Sequence, residues 1–340
     1  MKKATKDIPR VSILLPCRDA EAYLPDTIAS VEAQTFTSAE IVAVDDGSTD
    51  GTRSLLHAWA LRDPHVRVLS QERLGIIPAL QRAVAAARGE IFVRMDADDI
   101  AYSSRIQKQV ELLDANPDVD VCGTLIRYFP RQDVQGGAQR YETWINSLVD
   151  HDSITRDIFV ECPIAHPTMA VRREAFEKAG GYQDNGWPED YDLVMRLWIS
   201  GAKMAKVPEV LLRWRERPDR ASRLEERYSE DAFRRCKVHY LKKTLLAKRE
   251  VVVWGAGPVG KAFAQELQRQ KVPVRAFVDL DVRKIGQTIH GAAVVDPTAL
   301  EAHRDALTVA AVGQLLARDE IRRTLLEAQL REGVDFVAVA

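Results

Sequence analysis

The stretch "GEIFVRMDADDIAYSSR", Gly89–Arg105, runs from an apolar segment straight into a burst of carboxylates. "EIFVRMD" (Glu90–Asp96) reads as a buried strand, and Asp96, Asp98 and Asp99 stand at its end. Residues two apart on an extended chain point the same way, so Asp96 and Asp98 can face one ligand. Close carboxylates repel one another unless a cation or donors lie between them. An all-oxygen set suits a hard divalent ion such as Mg2+ or Mn2+. The competing reading makes Asp99 or Ser103 the N-cap of the helical run "SSRIQKQVELL". Capping uses one side chain and leaves the other carboxylates unexplained.

Working outward, "VSILLP" (Val11–Pro16), "AEIVAVDD" (Ala39–Asp46) and "HVRVLS" (His65–Ser70) read as further strands. They alternate with helical spacing in Ala22–Phe36, Arg53–Arg62 and Ile76–Gly89. Strand, helix, strand with short connections predicts a parallel α/β sheet, with ligand loops at the carboxyl ends of its strands. "VDDGSTDGT" places Asp45 and Asp46 at that same edge, although D-G and S-T-D-G are also strong turn formers. Beyond about residue 120 the alternation weakens. "VDVCGTLIRYF" reads as strand, "RQDVQGGAQ" as exposed loop, and "TMAVRREAFEKAGGY" as strand, helix and stop. "EDYDLVMRLWISG" is an amphipathic helix with Glu189, Asp190 and Asp192 crowded at its start. The helix dipole favours acids there, and a carboxylate in a cleft can equally serve as general base.

At 340 residues the chain is long for one core, so two domains are expected. The formal net charge of -2 argues against a nucleic-acid binder. No apolar run reaches the roughly 20 residues that span a bilayer. The apolar stretch after the basic start stops at Pro16 and Arg18, too short for a signal-peptide core. Cys17, Cys122, Cys162 and Cys236 are scattered with no C-x-x-C pair, which argues against a disulfide frame or a structural zinc site and fits a reducing cytoplasm.

Four stretches in order carry a family resemblance: "VSILLPCRDAEAYLPDTIASVEAQTF", "IVAVDDGSTDGT", "GEIFVRMDADDIAYSSRIQKQVELL" and "EDYDLVMRL". Over about residues 10–215 the chain resembles the inverting family 2 glycosyltransferases with the GT-A fold. The resemblance implies a metal-dependent transfer of sugar from a nucleotide-sugar donor, with a UDP-sugar favoured, to a hydroxyl acceptor on a glycan or lipid-linked sugar. It implies Pro16, Arg18 and Asp19 near the base, and Asp45 or Asp46 accepting from the uracil edge or ribose. Asp19 stands where relatives often carry Asn, which leaves base identity open. Arg73 and Gly75 match a loop beside the nucleotide; Arg73 either pairs with phosphate or is an exposed loop residue. Asp96-Ala97-Asp98 matches the D-x-D motif, with Asp98 the direct metal ligand and Asp96 facing ribose or a metal-bound water. Arg94 is either structural or phosphate-facing. Asp190 matches the general base, with Glu189 in reserve. His166 matches a histidine that touches diphosphate or metal in relatives; a structural role is the alternative. Arg213 and Trp214 are similar to part of the Q-x-x-R-W motif of processive relatives, but Pro208–Leu212 holds no Gln. Transfer of a single sugar, in cell-surface polysaccharide or glycolipid synthesis, is the expectation.

The remaining chain divides again. Residues 216–249 continue a basic run from Arg213, read as a helical bridge with Pro218 near its start. The bridge either is a solvated helix laced with salt bridges or leans on anionic lipid at the inner face of the membrane. From Val251, "VVVWGAGPVGKAFAQEL" sets Gly255, Gly257 and Gly260 in the G-x-G-x-x-G spacing, with Asp279 near the ribose-binding position. The expected domains are 1–215 (GT-A transferase), 216–249 (bridge) and 250–340, a small Rossmann-like α/β domain for NAD(H) or another nucleotide. That last module either binds a ligand or only packs, and a homodimer is left open. The rival functions are an NAD(P)-dependent sugar-nucleotide dehydrogenase or epimerase, and a non-catalytic sensor of nucleotide sugar and NAD.

Overall fold

The computed structural model describes residues 8–217 and 220–340. Pro218, expected to open the bridge, lies outside the described residues, as do residues 1–7. The chain forms two compact units. The first takes residues up to 154, 163–185 and 192–220; the second takes 155–162, 186–191 and 221–340.

The first unit is built on strands β1 (Val11–Cys17), β2 (Ala39–Asp46), β3 (Val66–Gln71), β4 (Ile91–Arg94), β5 (Ile100–Ala101), β6 (Val119–Phe129), β7 (Ala170–Arg172) and β8 (Lys203–Arg215). They form one eight-stranded sheet in the order β3-β2-β1-β4-β7-β6-β8-β5. Every residue of β1 is buried, as a central parallel strand covered on both faces requires. β1 pairs in parallel with β2 and β4, with Cys17 opposite Asp45 and Leu14 opposite Arg94. That register brings Asp45, Asp46 and the Asp96 turn to the same carboxyl edge. The strand order reverses between β1 and β4, the place where open α/β sheets bind ligands. β7 runs antiparallel to β4 and β6, while β8 runs parallel to β6.

Three local readings change. "RQDVQGGAQ" is not an exposed loop: a 3-10 turn at Arg131–Asp133 leads into a helix at Gly136–Ser147. Paired glycines weaken a helix interior, but here they sit in its first turn. Arg213–Arg215 are the end of β8 rather than helix, where Trp214 stacks on Tyr128 at 5.1 Å. The basic run then forms a short helix, Ala221–Leu224, and a longer one, Glu230–Lys243.

The second unit holds β9 (Val251–Trp254), β10 (Val274–Val278), β11 (Thr288–Ile289), β12 (Ala292–Val295), β13 (Leu307–Ala310) and β14 (Phe336–Ala338), ordered β11-β12-β10-β9-β13-β14. All pairs except the β11–β12 hairpin are parallel. The helix Glu230–Lys243 is capped by Ser229, whose side chain accepts from Ala232 N, and carries acids in its first turn and lysines in its last. Its basic groups are engaged within this unit. Lys237 Nζ donates to the Val160 and Val339 carbonyls at 2.7 and 2.9 Å, and Lys242 Nζ to the Gln270 carbonyl at 2.6 Å. No described helix is long and apolar enough to cross a membrane.

Candidate functional site

Asp96, Asp98 and Asp99 each offer an oxygen, and these oxygens lie within 4.8 Å of one another. Helix capping does not explain them. The helix Arg105–Ala115 has Ser104 at its N-cap position and no side-chain cap hydrogen bond. Asp99 is fully buried; its Oδ1 accepts from Arg215 N at 2.7 Å, and its Oδ2 has no hydrogen-bond partner. Arg94 Nη2 meets Asp96 Oδ1 at 2.5 Å, and Arg217 pairs with Asp98 Oδ2 at 3.0 Å. Arg220 lies 4.5 Å from the Trp214 ring centroid.

The electrostatics follow from this crowding. Burial, then Asp96, pushes the Asp98 carboxyl above its ordinary range. Burial, then Asp98 and Asp96, pushes Asp99 higher still. Burial raises Asp96, but Arg94, His166 and Arg220 together outweigh it and hold that carboxyl below its usual value. A divalent cation among these oxygens would reverse the repulsion and give the stranded Asp99 Oδ2 a partner. An all-carboxylate donor set with an orphaned buried oxygen fits a hard ion such as Mg2+ or Mn2+.

His166 lies outside this carboxylate group. It is buried, its Nε2 is 2.8 Å from Tyr182 Oη, and burial, then Arg94, lowers its pKa to about 3. It therefore stays neutral at ordinary pH.

The nucleotide-loop candidates are brought together, though with their carboxylates occupied. Asp45 is covered; its Oδ1 accepts from Ser48 N at 3.1 Å and its Oδ2 meets Arg53 Nε at 2.7 Å. Asp46 accepts from Gln71 Nε2, Leu74 N and Gly75 N at 2.7, 2.9 and 2.9 Å. Gly75 (φ 100) then starts the helix Ile76–Ala86. Gly47 between the loops has φ +68, and a Cβ there would lie 2.6 Å from Arg73 N. Asp19, at φ 43, ties its own loop to Thr49, accepting from Thr49 N at 2.8 Å. These hydrogen bonds shape the loops and use two of the roughly four acceptor sites of Asp45 and three of those of Asp46. Pro16 is buried in β1, while Arg18 is half-buried and Arg73 is exposed.

The third acidic group separates by role. Asp192 is buried, pairs with Arg196 at 2.7 Å and accepts from Asn185 Nδ2 at 3.2 Å, which makes it a structural anchor. Glu189 is buried and accepts from Tyr228 Oη at 2.8 and 3.0 Å. Asp190 is half-buried, and burial together with Glu189 raises its pKa to about 8. A carboxylate so placed is a much stronger base than an ordinary aspartate.

In the second unit, Gly255 adopts φ +113 and Asp279 Oδ2 accepts from Ala256 N at 2.8 Å. Gly257 is the N-cap position of the helix Pro258–Arg269, and a Cβ on Gly260 would fall 1.7 Å from the Gly255 carbonyl oxygen. Fingerprint and acid therefore form one turn, as their spacing implied.

The metal candidates read from the sequence did not include Asp99, whose oxygen lies with those of Asp96 and Asp98, and the reading did not bring Arg217 to Asp98 or Arg220 to Trp214. Asp99 was legible only as a cap, while both arginines sat in a run that reads as surface charge.

The glycosyl transferase family 2 model matches residues 12–180, and the model named C2185-like, N-terminal, matches residues 247–333. An uncharacterised glycosyltransferase of Haemophilus influenzae is 30% identical over 219 residues, covering 62% of this chain and 66% of that protein. The amylovoran biosynthesis glycosyltransferase AmsE of Erwinia amylovora is 28% identical over 210 residues, covering 62% and 76%. The crystal structure of TarS 1-349 from S. aureus matches with TM-score 0.55 at 15% identity, covering 77% of this chain and 71% of that one, a likeness of fold. The acidic edge of the first sheet thus stands where the matched domain lies, and through that domain the chain belongs to the family 2 glycosyltransferases, with the GT-A fold.

Proposed function

We propose that the chain is a metal-dependent inverting glycosyltransferase that moves one sugar from a nucleotide-sugar donor to a hydroxyl acceptor. The observation that carries this reading is the group of three carboxylates within 4.8 Å, one of them with a buried oxygen lacking a partner. Asp98 and Asp96, with Asp99 behind them, hold the cation. When bound, the cation neutralises charge on the departing nucleoside diphosphate. Arg217 and Arg220 add positive charge beside it. Asp190 accepts the proton of the acceptor hydroxyl as its oxygen attacks the anomeric carbon opposite the leaving group. Glu189, held by Tyr228, keeps Asp190 basic through its own charge.

A UDP-sugar is the donor class favoured. TarS, similar in fold, has been crystallised with UDP and with UDP-GlcNAc. AmsE is named for amylovoran biosynthesis, which supports a polysaccharide or glycolipid acceptor here. A panel of nucleotide sugars, assayed for nucleotide release with Mn2+ and with chelator, tests the reading. One donor should turn over with metal only, and Asp98→Ala should abolish that turnover while the protein stays folded. Equal turnover in chelator, or in Asp98→Ala, would overturn the metal assignment.

A further inference from the structure

The transferase reading draws Asp190 from the second unit but leaves the β9–β14 sheet without a task, yet that sheet borders a cavity of ≈ 750 Å³. Its size lies in the range of small-molecule sites. The walls come from the turns that follow three parallel strands: Gly255 and Gly257 after β9, Asp279 and Leu280 after β10, and Val312 and Gly313 after β13. β9 lies between β10 and β13, so the cavity opens at the carboxyl ends of the strands where the order reverses.

The backbone there is shaped for close approach. Gly255 packs so tightly that a Cβ would lie 2.7 Å from Val312 Cγ2, whereas a Cβ on Gly257 would meet nothing within 4 Å. The open side of Gly257 faces space that a ligand can fill. The helix that follows begins with Pro258, has no side-chain cap and carries no acid in its first turn, which suits its start to an anion. Lys284 also lines the cavity, 2.9 Å from Asp279 Oδ2. Asp279 already accepts from Ala256 N, Asp281 N and Lys284 Nζ, which leaves about one of its roughly four acceptor sites for a ribose hydroxyl. Two further wall residues are apolar and uncovered, Leu280 at 64% and Val259 at 40% exposure, suited to a flat base.

We propose that this cavity binds the nucleoside 5′-diphosphate moiety of a single nucleotide, without a divalent cation. The diphosphate lies at the Gly255–Gly257 turn and Lys284; the base lies against Leu280 and Val259. The parallel core β12-β10-β9-β13-β14 has the chain order 3-2-1-4-5, five strands of the doubly wound nucleotide-binding arrangement, with the switch point between β9 and β13. Free nucleoside diphosphates, nucleotide sugars and the ADP half of NAD(H) share the recognised chemistry.

The test uses the full chain in chelator, where the proposed transferase site lacks its cation. UDP, UDP-GlcNAc, ADP and NADH are titrated separately by calorimetry. At least one should bind with one equivalent per chain and a Kd below about 100 µM. Gly257→Leu, which fills the open side, and Lys284→Ala should each weaken it at least about tenfold, with thermal midpoints near that of the parent. Which of the four binds identifies the source. Binding by none up to about 1 mM overturns the proposal. So does binding that survives both variants but disappears in Asp98→Ala, because it then belongs to the transferase site. Failure here leaves the transferase assay untouched, so the two readings fall separately.

Discussion

Two sheet edges in this chain obey one rule and gather opposite charge. In each unit, parallel strands end at a reversal of strand order, and the turns beyond carry the polar groups. The first edge collects Asp96, Asp98 and Asp99, and the crowding pushes two of these carboxyls upward. The second edge offers a glycine turn, a helix start and Lys284, and Asp279 there is held below its usual pKa. Burial opposes that shift, but hydrogen bonds from Asp281 N, Lys284 and Ala256 N outweigh it. On the two proposals above, the same architecture serves a cation at one edge and an anion at the other, according to what the loops supply. The glycine fingerprint, the most conspicuous motif in the sequence, does not mark the transferase chemistry.

The largest expected effect separates the edges by function. Asp98→Ala should lower metal-dependent nucleotide release by about 10³-fold or more, read by single-turnover assay. Mn2+ affinity measured directly should fall with it. Gly260→Ala tests the packing of the second edge instead. Its Cβ would fall 1.7 Å from a backbone oxygen, so it should destabilise the second unit by about 3 kcal/mol in chemical denaturation. A fully stable Gly260→Ala protein would show that the turn is looser than described.

Within the Glu189–Ile199 helix the comparison sharpens further. Asp192→Ala leaves Arg196 without its carboxylate and should cost about 3 kcal/mol of stability, seen in the denaturation midpoint. Asp190→Asn should do the opposite. Asp190 titrates near 8 when folded, against about 3.9 in an unfolded chain, so its ionisation costs stability increasingly as pH rises between those values. The Asn variant should melt higher than the parent at pH 8 and above, with the difference vanishing near pH 4. The same shift sets the smallest predicted effect, an acid limb of kcat/KM that rises with pH toward about 8 rather than toward 4.

Strands β1 to β4 and the helices between them were legible because each is a short apolar run punctuated by turn residues. β2 matches its reading end to end, and β1 runs one residue further, to Cys17. The D-x-D edge was legible for the same reason. What local pattern could not show is pairing across long separations. β5 is two residues long and exists through its antiparallel partner in β8, with Ile100 opposite Arg213. β8 contains Pro208 and a register shift where β6 passes from Thr124 to Leu125, so it does not alternate cleanly. Arg217 reaches Asp98 only because β8 carries the chain back to that edge. The hydrogen bonds that tie Asp45 to Arg53, and Asp46 to Gln71 and the Gly75 amide, are likewise tertiary and have no local signal.

The central proposal is that sugar transfer rests on the carboxylates Asp96, Asp98 and Asp99, with Asp190 as base. The most direct measurement compares parent and Asp190→Asn for donor binding by calorimetry and for sugar transfer at saturating donor, metal and acceptor, across pH 5–9. The account predicts unchanged donor affinity, transfer reduced about 10³-fold and the loss of the acid limb. Transfer at the parent rate with the same pH profile in Asp190→Asn would contradict it.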